Sequence, residues 1–353
     1  MIRVLVVDDS EVDRKIISFA LNNADDIEIV GTAENPYVAK DLIKVLKPDV
    51  ITLDIQMPRM NGLTFLSKIM EYHPLPVIIV SSYSPKNSVN TLRALRLGAL
   101  DTISKPGLEY NLHEFSSLLV RTIRGASEAK ISSPEKNGNP EILQKPDRFS
   151  TPISAADLDS KVIAIGASTG GTRALEYVLK QLPSQLPAIL IVQHLPESFT
   201  NSFAKRLNTH SDLQIAEATD GEKVKPGHVY IAPGNKHMVL EKRLSKYNVK
   251  ITEGERVHYQ RPSVDVLFNS VAELKGLEAT GVILTGMGAD GAQGLLNMKS
   301  NGAYTIGQDE NSCVVYGMPK AAFEMGAVSE QVPLRNIPEK IVSVVCRDHT
   351  VGV

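Results

Sequence analysis

Apolar residues fall in short, evenly spaced runs along the first third of the chain. Ile2–Val7, Ile27–Thr32, Val50–Leu53, Val77–Val80 and Thr102–Ser104 are apolar or β-branched runs of strand length. Between them, Glu11–Asn22 and Pro36–Lys47 place apolar residues at helical spacing. Strand and helix in regular alternation predict a parallel sheet covered on both faces. From Ala126 to about Ser160 the periodicity is lost, as in Ser132-Ser133-Pro134-Glu135-Lys136-Asn137-Gly138-Asn139-Pro140. That composition predicts a solvated, mobile linker. Strand-like runs resume at Val162–Ile165, Ala188–Val192, Val229–Ile231 and Gly281–Leu284, again with helical segments between them. The pattern predicts two α/β domains, 1–125 and 159–353, joined by a linker over 126–158.

At 353 residues the chain can bury two separate cores. A net charge of −2 gives no electrostatic case for binding nucleic acid or an anionic membrane. No apolar run reaches membrane-span length, and the N-terminus enters a strand pattern at once, with Arg3 inside it and no leader-like cleavage site. Two cysteines, Cys313 and Cys346, are too few for a disulfide framework or a metal cluster. The expected setting is the cytoplasm.

Candidate chemistry in the first domain gathers at strand ends. Asp8 and Asp9 follow the first strand and Asp54 the third. In an open parallel sheet these ends converge on one crevice, where three carboxylates repel one another unless a divalent cation sits between them. Oxygen ligands of this kind suit Mg²⁺. Lys105, before Pro106, brings a positive charge to the same crevice, and Ser81 brings a hydroxyl. The set suits phosphoryl transfer to a carboxylate. Taken singly, each acid reads equally well as a helix cap or a solvated loop charge.

Together these residues resemble the response-regulator receiver family, a flavodoxin-like, doubly wound fold, over the whole first domain. The resemblance implies Asp54 as phospho-acceptor, Asp8 and Asp9 with Asp54 as the Mg²⁺ site, and Ser81 and Lys105 as the switch hydroxyl and lysine. The run Asp54-Ile55-Gln56-Met57-Pro58-Arg59-Met60-Asn61-Gly62 is close to that family's loop after the acceptor. Three positions before Lys105, where the family often carries an aromatic switch residue, stands Thr102.

The second domain opens with Lys161-Val162-Ile163-Ala164-Ile165-Gly166-Ala167-Ser168-Thr169-Gly170-Gly171, an apolar strand running into a glycine-bracketed serine. Glycines allow the sharp strand-to-helix elbow that exposes a nucleophilic hydroxyl. Ser168 needs a base, and His194 follows the run Ala188–Val192, with Gln193 between, at a strand's carboxyl end as Ser168 does. Asp290, in Thr285-Gly286-Met287-Gly288-Ala289-Asp290-Gly291, can orient the imidazole. The alternatives are an Asp290 that caps the helix beginning near Gly291, and a Ser–acid–His order completed by His349. His349 follows a terminal helix without a glycine loop, so His194 is the better base. His237 and His258 read as residues of polar turns with no catalytic neighbours.

The segments around Ser168, His194 and Asp290 are similar to those of the CheB family of chemotaxis protein-glutamate methylesterases. So are Tyr230-Ile231-Ala232-Pro233-Gly234-Asn235-Lys236-His237 and Arg261-Pro262-Ser263-Val264-Asp265. The likeness covers receiver, linker and a doubly wound, mostly parallel catalytic domain. It implies a Ser168–His194–Asp290 triad, with Met287 and Thr169 supplying oxyanion N–H groups. It also implies hydrolysis of glutamate γ-methyl esters on chemoreceptor helices and a chemotaxis histidine kinase as phosphodonor, and it leaves open whether glutamine is deamidated by the same steps. The implied control is a receiver that blocks the triad until Asp54 is phosphorylated.

Two other readings start from the same residues. A DNA-binding response regulator is disfavoured by an output region of roughly 200 residues without a basic recognition stripe. A non-catalytic module that docks receptors or kinase is disfavoured by the intact serine, histidine and aspartate, although fold alone does not prove chemistry.

Overall fold

The computed structural model describes residues 1–58, 60–82, 85–106, 111–129, 131, 158–244 and 246–346. The chain divides into two compact units, Met1–Pro140 and Glu141–Val353. The linker expected over 126–158 lies for the most part outside the described residues, and the last helix of the first unit, Leu112–Ser127, runs past position 125.

In the first unit the strands are β1 (Ile2–Val7), β2 (Ile27–Ala33), β3 (Val50–Leu53), β4 (Val77–Ser81) and β5 (Asp101–Ser104). They pair in parallel in the order β2-β1-β3-β4-β5. The central strands β3 and β4 are buried along their whole length, as near-continuous apolar runs covered on both faces should be. Five helices alternate with them: α1 (Glu11–Leu21), α2 (Pro36–Leu46), α3 (Gly62–Tyr72), α4 (Pro85–Leu97) and α5 (Leu112–Ser127). Local chemistry fixes several starts. Ser10 accepts from the Asp13 N–H and Asn35 from the Tyr37 and Val38 N–H groups, while Asn111 and Glu114 form a capping box. Strand order reverses beside β1, which opens the crevice at the carboxyl ends of β1 and β3.

The second unit is built on a seven-stranded, all-parallel sheet in the order β14-β13-β12-β6-β7-β9-β8. Its strands are β6 (Lys161–Ala167), β7 (Ala188–Gln193), β8 (Gln214–Glu217), β9 (His228–Ile231), β12 (Glu278–Ile283), β13 (Tyr304–Gln308) and β14 (Glu330–Val332). An antiparallel pair, β10 (His237–Arg243) and β11 (Lys246–Thr252), stands apart from it. The helices are α6 (Gly171–Gln181), α7 (Glu197–Asn208), α8 (Val264–Ala272), α9 (Ala292–Ser300), α10 (Met318–Glu324) and α11 (Ile337–Val345). The chain starts at the central strand β6 and grows outward both ways, so the switch point lies at the carboxyl end of β6. Gly166 near that end is needed for packing: a Cβ there would lie 2.2 Å from Val264 Cγ1 at the start of α8. Among the described residues, no helix is long and apolar enough to cross a membrane.

Candidate active site

The crevice of the first unit brings together most of the residues its sequence suggested. Lys105, just after β5, reaches across with Nζ 2.7 Å from Asp8 Oδ2, 2.7 Å from Asp13 Oδ2 and 3.4 Å from Asp54 Oδ1. Asp13, on α1, is a partner that the sequence did not suggest. Burial raises the Asp54 carboxyl to about 6, against the pull of Lys105. It raises Asp8 too, where Lys105 only partly offsets it. Burial opposes the Lys105 ammonium, but Asp54, Asp13 and Asp8 outweigh it and hold the lysine above its ordinary range. Asp8, Asp9 and Asp54 each offer a carboxylate oxygen within 4.8 Å of the others. Asp8 and Asp54 are buried carboxylates with raised pKa values, which a hard divalent cation relieves, and with the exposed Asp9 beside them the oxygen donor set fits Mg²⁺. Ser81 is buried at the end of β4, with its carbonyl accepting from the Lys105 N–H at 3.0 Å. Thr102 is buried within β5.

In the second unit three neighbouring strands carry the triad candidates. Ala167 of β6 lies opposite Gln193 of β7, so Ser168 and His194 leave the sheet side by side. The loop after β12, on the other flank of β6, carries Asp290. His194 Nδ1 lies 3.1 Å from Ser168 Oγ, and His194 Nε2 lies 2.8 Å from Asp290 Oδ2. An ionised Asp290 fixes the tautomer: Nε2–H donates to the carboxylate, leaving Nδ1 to accept from the serine hydroxyl. His349 lies outside the described residues.

Asp290 does not cap the helix that follows it. Its Oδ2 accepts from the Val264 N–H at 2.8 Å, and its Oδ1 from the Asp265 N–H at 3.1 Å and Ser263 Oγ at 2.7 Å. The carboxylate therefore sits on the N-terminus of α8, where free N–H groups and the helix dipole favour an anion. Burial alone would raise its pKa; hydrogen bonds from His194, Ser263 and Val264 outweigh that and hold it below the usual carboxylate range.

His237 corrects the sequence reading. It is buried at the start of β10, not in a polar turn, because its ring accepts the Ser263 N–H on Nδ1 at 3.2 Å and donates from Nε2 to the Glu255 carbonyl at 2.8 Å. Burial lowers its pKa and keeps it neutral. His258 does lie in a turn, but its Nε2 is 3.1 Å from Asp265 Oδ2, beside the triad acid.

Thr169 and Met287 belong to two peptides held in the same way. The Ser168 carbonyl accepts from the Gly171 N–H at 2.7 Å and from Gln193 Nε2 at 2.9 Å. The Gly286 carbonyl accepts from the Gly317 and Met318 N–H groups at 3.0 and 2.8 Å. In a trans peptide the N–H points opposite to the C=O, so each doubly tied carbonyl aims the next N–H, that of Thr169 or Met287, the other way. The two loops touch closely, since a Cβ on Gly286 would lie 2.7 Å from Ser168 Cβ.

Residues 163–341 match the family described as CheB methylesterase, and residues 4–115 the response regulator receiver domain. The chain is 53% identical over 344 residues to the protein-glutamate methylesterase/protein-glutamine glutaminase 2 of Syntrophus aciditrophicus, covering 98% of this chain and 99% of that protein. It belongs to the CheB methylesterase family. The like-named protein of Salmonella typhimurium is 48% identical over 356 residues, covering 100% of this chain and 99% of that one. The CheB catalytic domain of Thermotoga maritima superposes with a TM-score of 0.51 at 42% identity, covering 52% of this chain and 98% of that structure. A CheB-type unit thus follows a receiver, each a parallel α/β fold, as the sequence pattern predicts.

The sequence did not suggest Ser263, His237, Asp265 or Gln193 as parts of the site. Ser263 opens α8 as its N-cap, which a capping pattern identifies, but no local signal reports that its hydroxyl reaches Asp290.

Proposed function

We propose that the chain hydrolyses glutamate γ-methyl esters on chemoreceptors and deamidates receptor glutamines, the two activities named for its relatives. The observation that carries the proposal is His194, hydrogen-bonded at once to a nucleophile and to a buried carboxylate. As Ser168 Oγ attacks the ester carbonyl, its proton passes to His194 Nδ1, and Asp290 holds the resulting imidazolium. The tetrahedral oxyanion is met by the Thr169 and Met287 N–H groups, each such donor contributing about 3–4 kcal/mol in acyl-transfer enzymes. On collapse the C–O bond breaks, His194 Nδ1–H protonates the departing methoxide to methanol, and Ser168 is left acylated. Water, deprotonated by the same nitrogen, then releases glutamate. With glutamine the leaving group is ammonia.

Asp54 is the proposed phospho-acceptor, supplied by a histidine kinase. Asp8, Asp9 and Asp54 would hold Mg²⁺, which neutralises charge on the phosphoryl oxygens. Lys105, now tied to three carboxylates, is positioned to pair with the new phosphoryl group instead. A docking module without chemistry would have no use for the His194–Asp290 geometry.

Methanol release from methylated receptor membranes tests the reading. Wild type releases methanol and Ser168→Ala does not; demethylation by Ser168→Ala would sink the triad assignment. Stimulation by a small phosphodonor should disappear in Asp54→Asn.

A further inference from the structure

An unusual turn stands beside the triad acid. Val257 and Gln260 pair across two residues, the Val257 N–H donating to the Gln260 carbonyl at 3.0 Å and the Gln260 N–H to the Val257 carbonyl at 2.8 Å. The turn residues are His258, with φ 50°, and Tyr259, with φ 63°. Positive φ at both central positions is the type I′ pattern, usually filled by Asn-Gly because larger L side chains crowd the backbone there. Among the described residues five non-glycines have positive φ, and only these two are consecutive.

The surroundings hold the turn in place. His258 Nε2 contacts Asp265 Oδ2 at 3.1 Å, Arg261 donates to the Gly254 carbonyl at 2.8 Å, and Arg256 and Arg261 both donate to Asn235 Oδ1. His258, Asp265 and Asp290 each offer an atom within 4.8 Å of the others, so the turn is anchored to the acid end of the triad. Strained backbone persists where its surroundings over-determine it, and such sites cluster where a protein binds something. What this strain presents is Tyr259, an aromatic side chain 73% exposed.

We propose that Tyr259 is a docking residue for the protein substrate, packing against the helix that carries the esterified glutamate. The inference rests on the methylesterase reading and goes beyond it to the means of selecting a protein over a small ester. A free methyl ester needs only the crevice at Ser168. A helix about 10 Å across, laid over that crevice, covers more than the serine itself. Tyr259 follows directly on His258, which offers a nitrogen within 4.8 Å of the Asp290 carboxylate, and an exposed tyrosine is a common anchor in protein recognition.

The test uses the full-length chain, phosphorylated by acetyl phosphate, with two substrates: methylated receptor membranes and N-acetylglutamate γ-methyl ester. Tyr259→Ala should raise KM for receptor about tenfold with kcat changed less than about twofold, and Tyr259→Phe should restore most of the loss. The receptor-to-small-ester ratio of kcat/KM should fall about tenfold in parallel. Tyr259→Gly should show the same KM defect while raising the melting temperature of the catalytic domain by ~2–4 °C, because glycine relieves the turn. A receptor KM within about twofold of wild type in both variants, or equal losses on the two substrates, would overturn the proposal. So would a lower melting temperature for Tyr259→Gly, which would assign the ring to the fold. A wild type that releases methanol from neither substrate would instead overturn the esterase reading on which the proposal stands.

Discussion

Asp290 and Asp265 cap each other's helices. Asp290 precedes α9, yet its carboxylate receives the Val264 and Asp265 N–H groups that open α8. Asp265, in the first turn of α8, receives the Gly294 N–H of α9 on its Oδ1 at 2.6 Å. Each helix thus fixes the acid belonging to the other, and backbone N–H groups join the Ser263 hydroxyl in holding the proposed triad carboxylate. A group positioned this way has little freedom left to lose as charge develops on His194.

Ser263→Ala removes the one hydroxyl that donates to Asp290. With its charge less dispersed, the carboxylate should hold the His194 imidazolium more tightly and shift the acid limb of kcat/KM upward by about half a pH unit. Stability should fall by about 1–3 kcal/mol, since a buried acceptor loses a donor. The sign for Asp290 itself follows from its depressed pKa: its contribution to stability is present above about pH 4 and is lost as pH falls through the folded value. A pH–rate profile beside thermal melts at several pH values checks both.

Gln193 ties the Ser168 carbonyl, and through it directs the Thr169 N–H. Gln193→Leu keeps the bulk and deletes the donor. We expect kcat to fall by about tenfold with KM nearly unchanged, because the oxyanion exists only along the reaction path. Steady-state kinetics on the small ester separates the two constants.

Gly166→Ala would place its Cβ against Val264, whose N–H serves Asp290. Overpacking of this kind costs about 1–3 kcal/mol. Activity should fall with stability, as Val264 is pushed off its hydrogen bond. Val264→Ala in the same chain should restore part of both, and a double-mutant cycle of melting temperature and kcat/KM measures the coupling.

Asp54→Asn should stabilise the receiver at pH 8. Burial raises the Asp54 pKa to about 6, so the ionised carboxylate opposes folding. The penalty is absent below about pH 4, grows as pH rises to about 6 and is constant above. Its ceiling is about 3 kcal/mol, reduced where Lys105 loses a partner in the variant. Calorimetry in chelator should show the variant melting higher at pH 8 and level with wild type at pH 4. Mg²⁺ should raise the wild type more than the variant.

Much of this was legible in the sequence, for reasons that are local. Strands β1 and β3 are apolar runs whose ends carry Asp8 and Asp54, and β6 and β7 end in Ser168 and His194. Topology sends such ends to one side of a parallel sheet, so a linear pattern is enough to collect them. The peripheral strands β8, β13 and β14 were not legible, because polar, charged or glycine residues interrupt their three to five positions and leave no apolar run to mark them. Asp13 was missed because it lies mid-turn on α1, where an acid reads as a dipole partner. His237 was misread because its flanking glycine and asparagine suggest a turn, whereas burial against Ser263 makes it the start of a strand.

The sequence by itself determined which residues stand at strand ends, and hence the fold class, the family and the strand-end residues proposed for both sites. Tertiary structure alone decided which nitrogen of His194 faces the serine, which helix receives Asp290, and which carbonyls are tied so that the Thr169 and Met287 N–H groups point away from them. Those outcomes depend on contacts between segments far apart in the chain, such as Asp290 with Val264 and Gly286 with Met318. No periodicity encodes them, because they are set by how helices and loops pack onto the sheet.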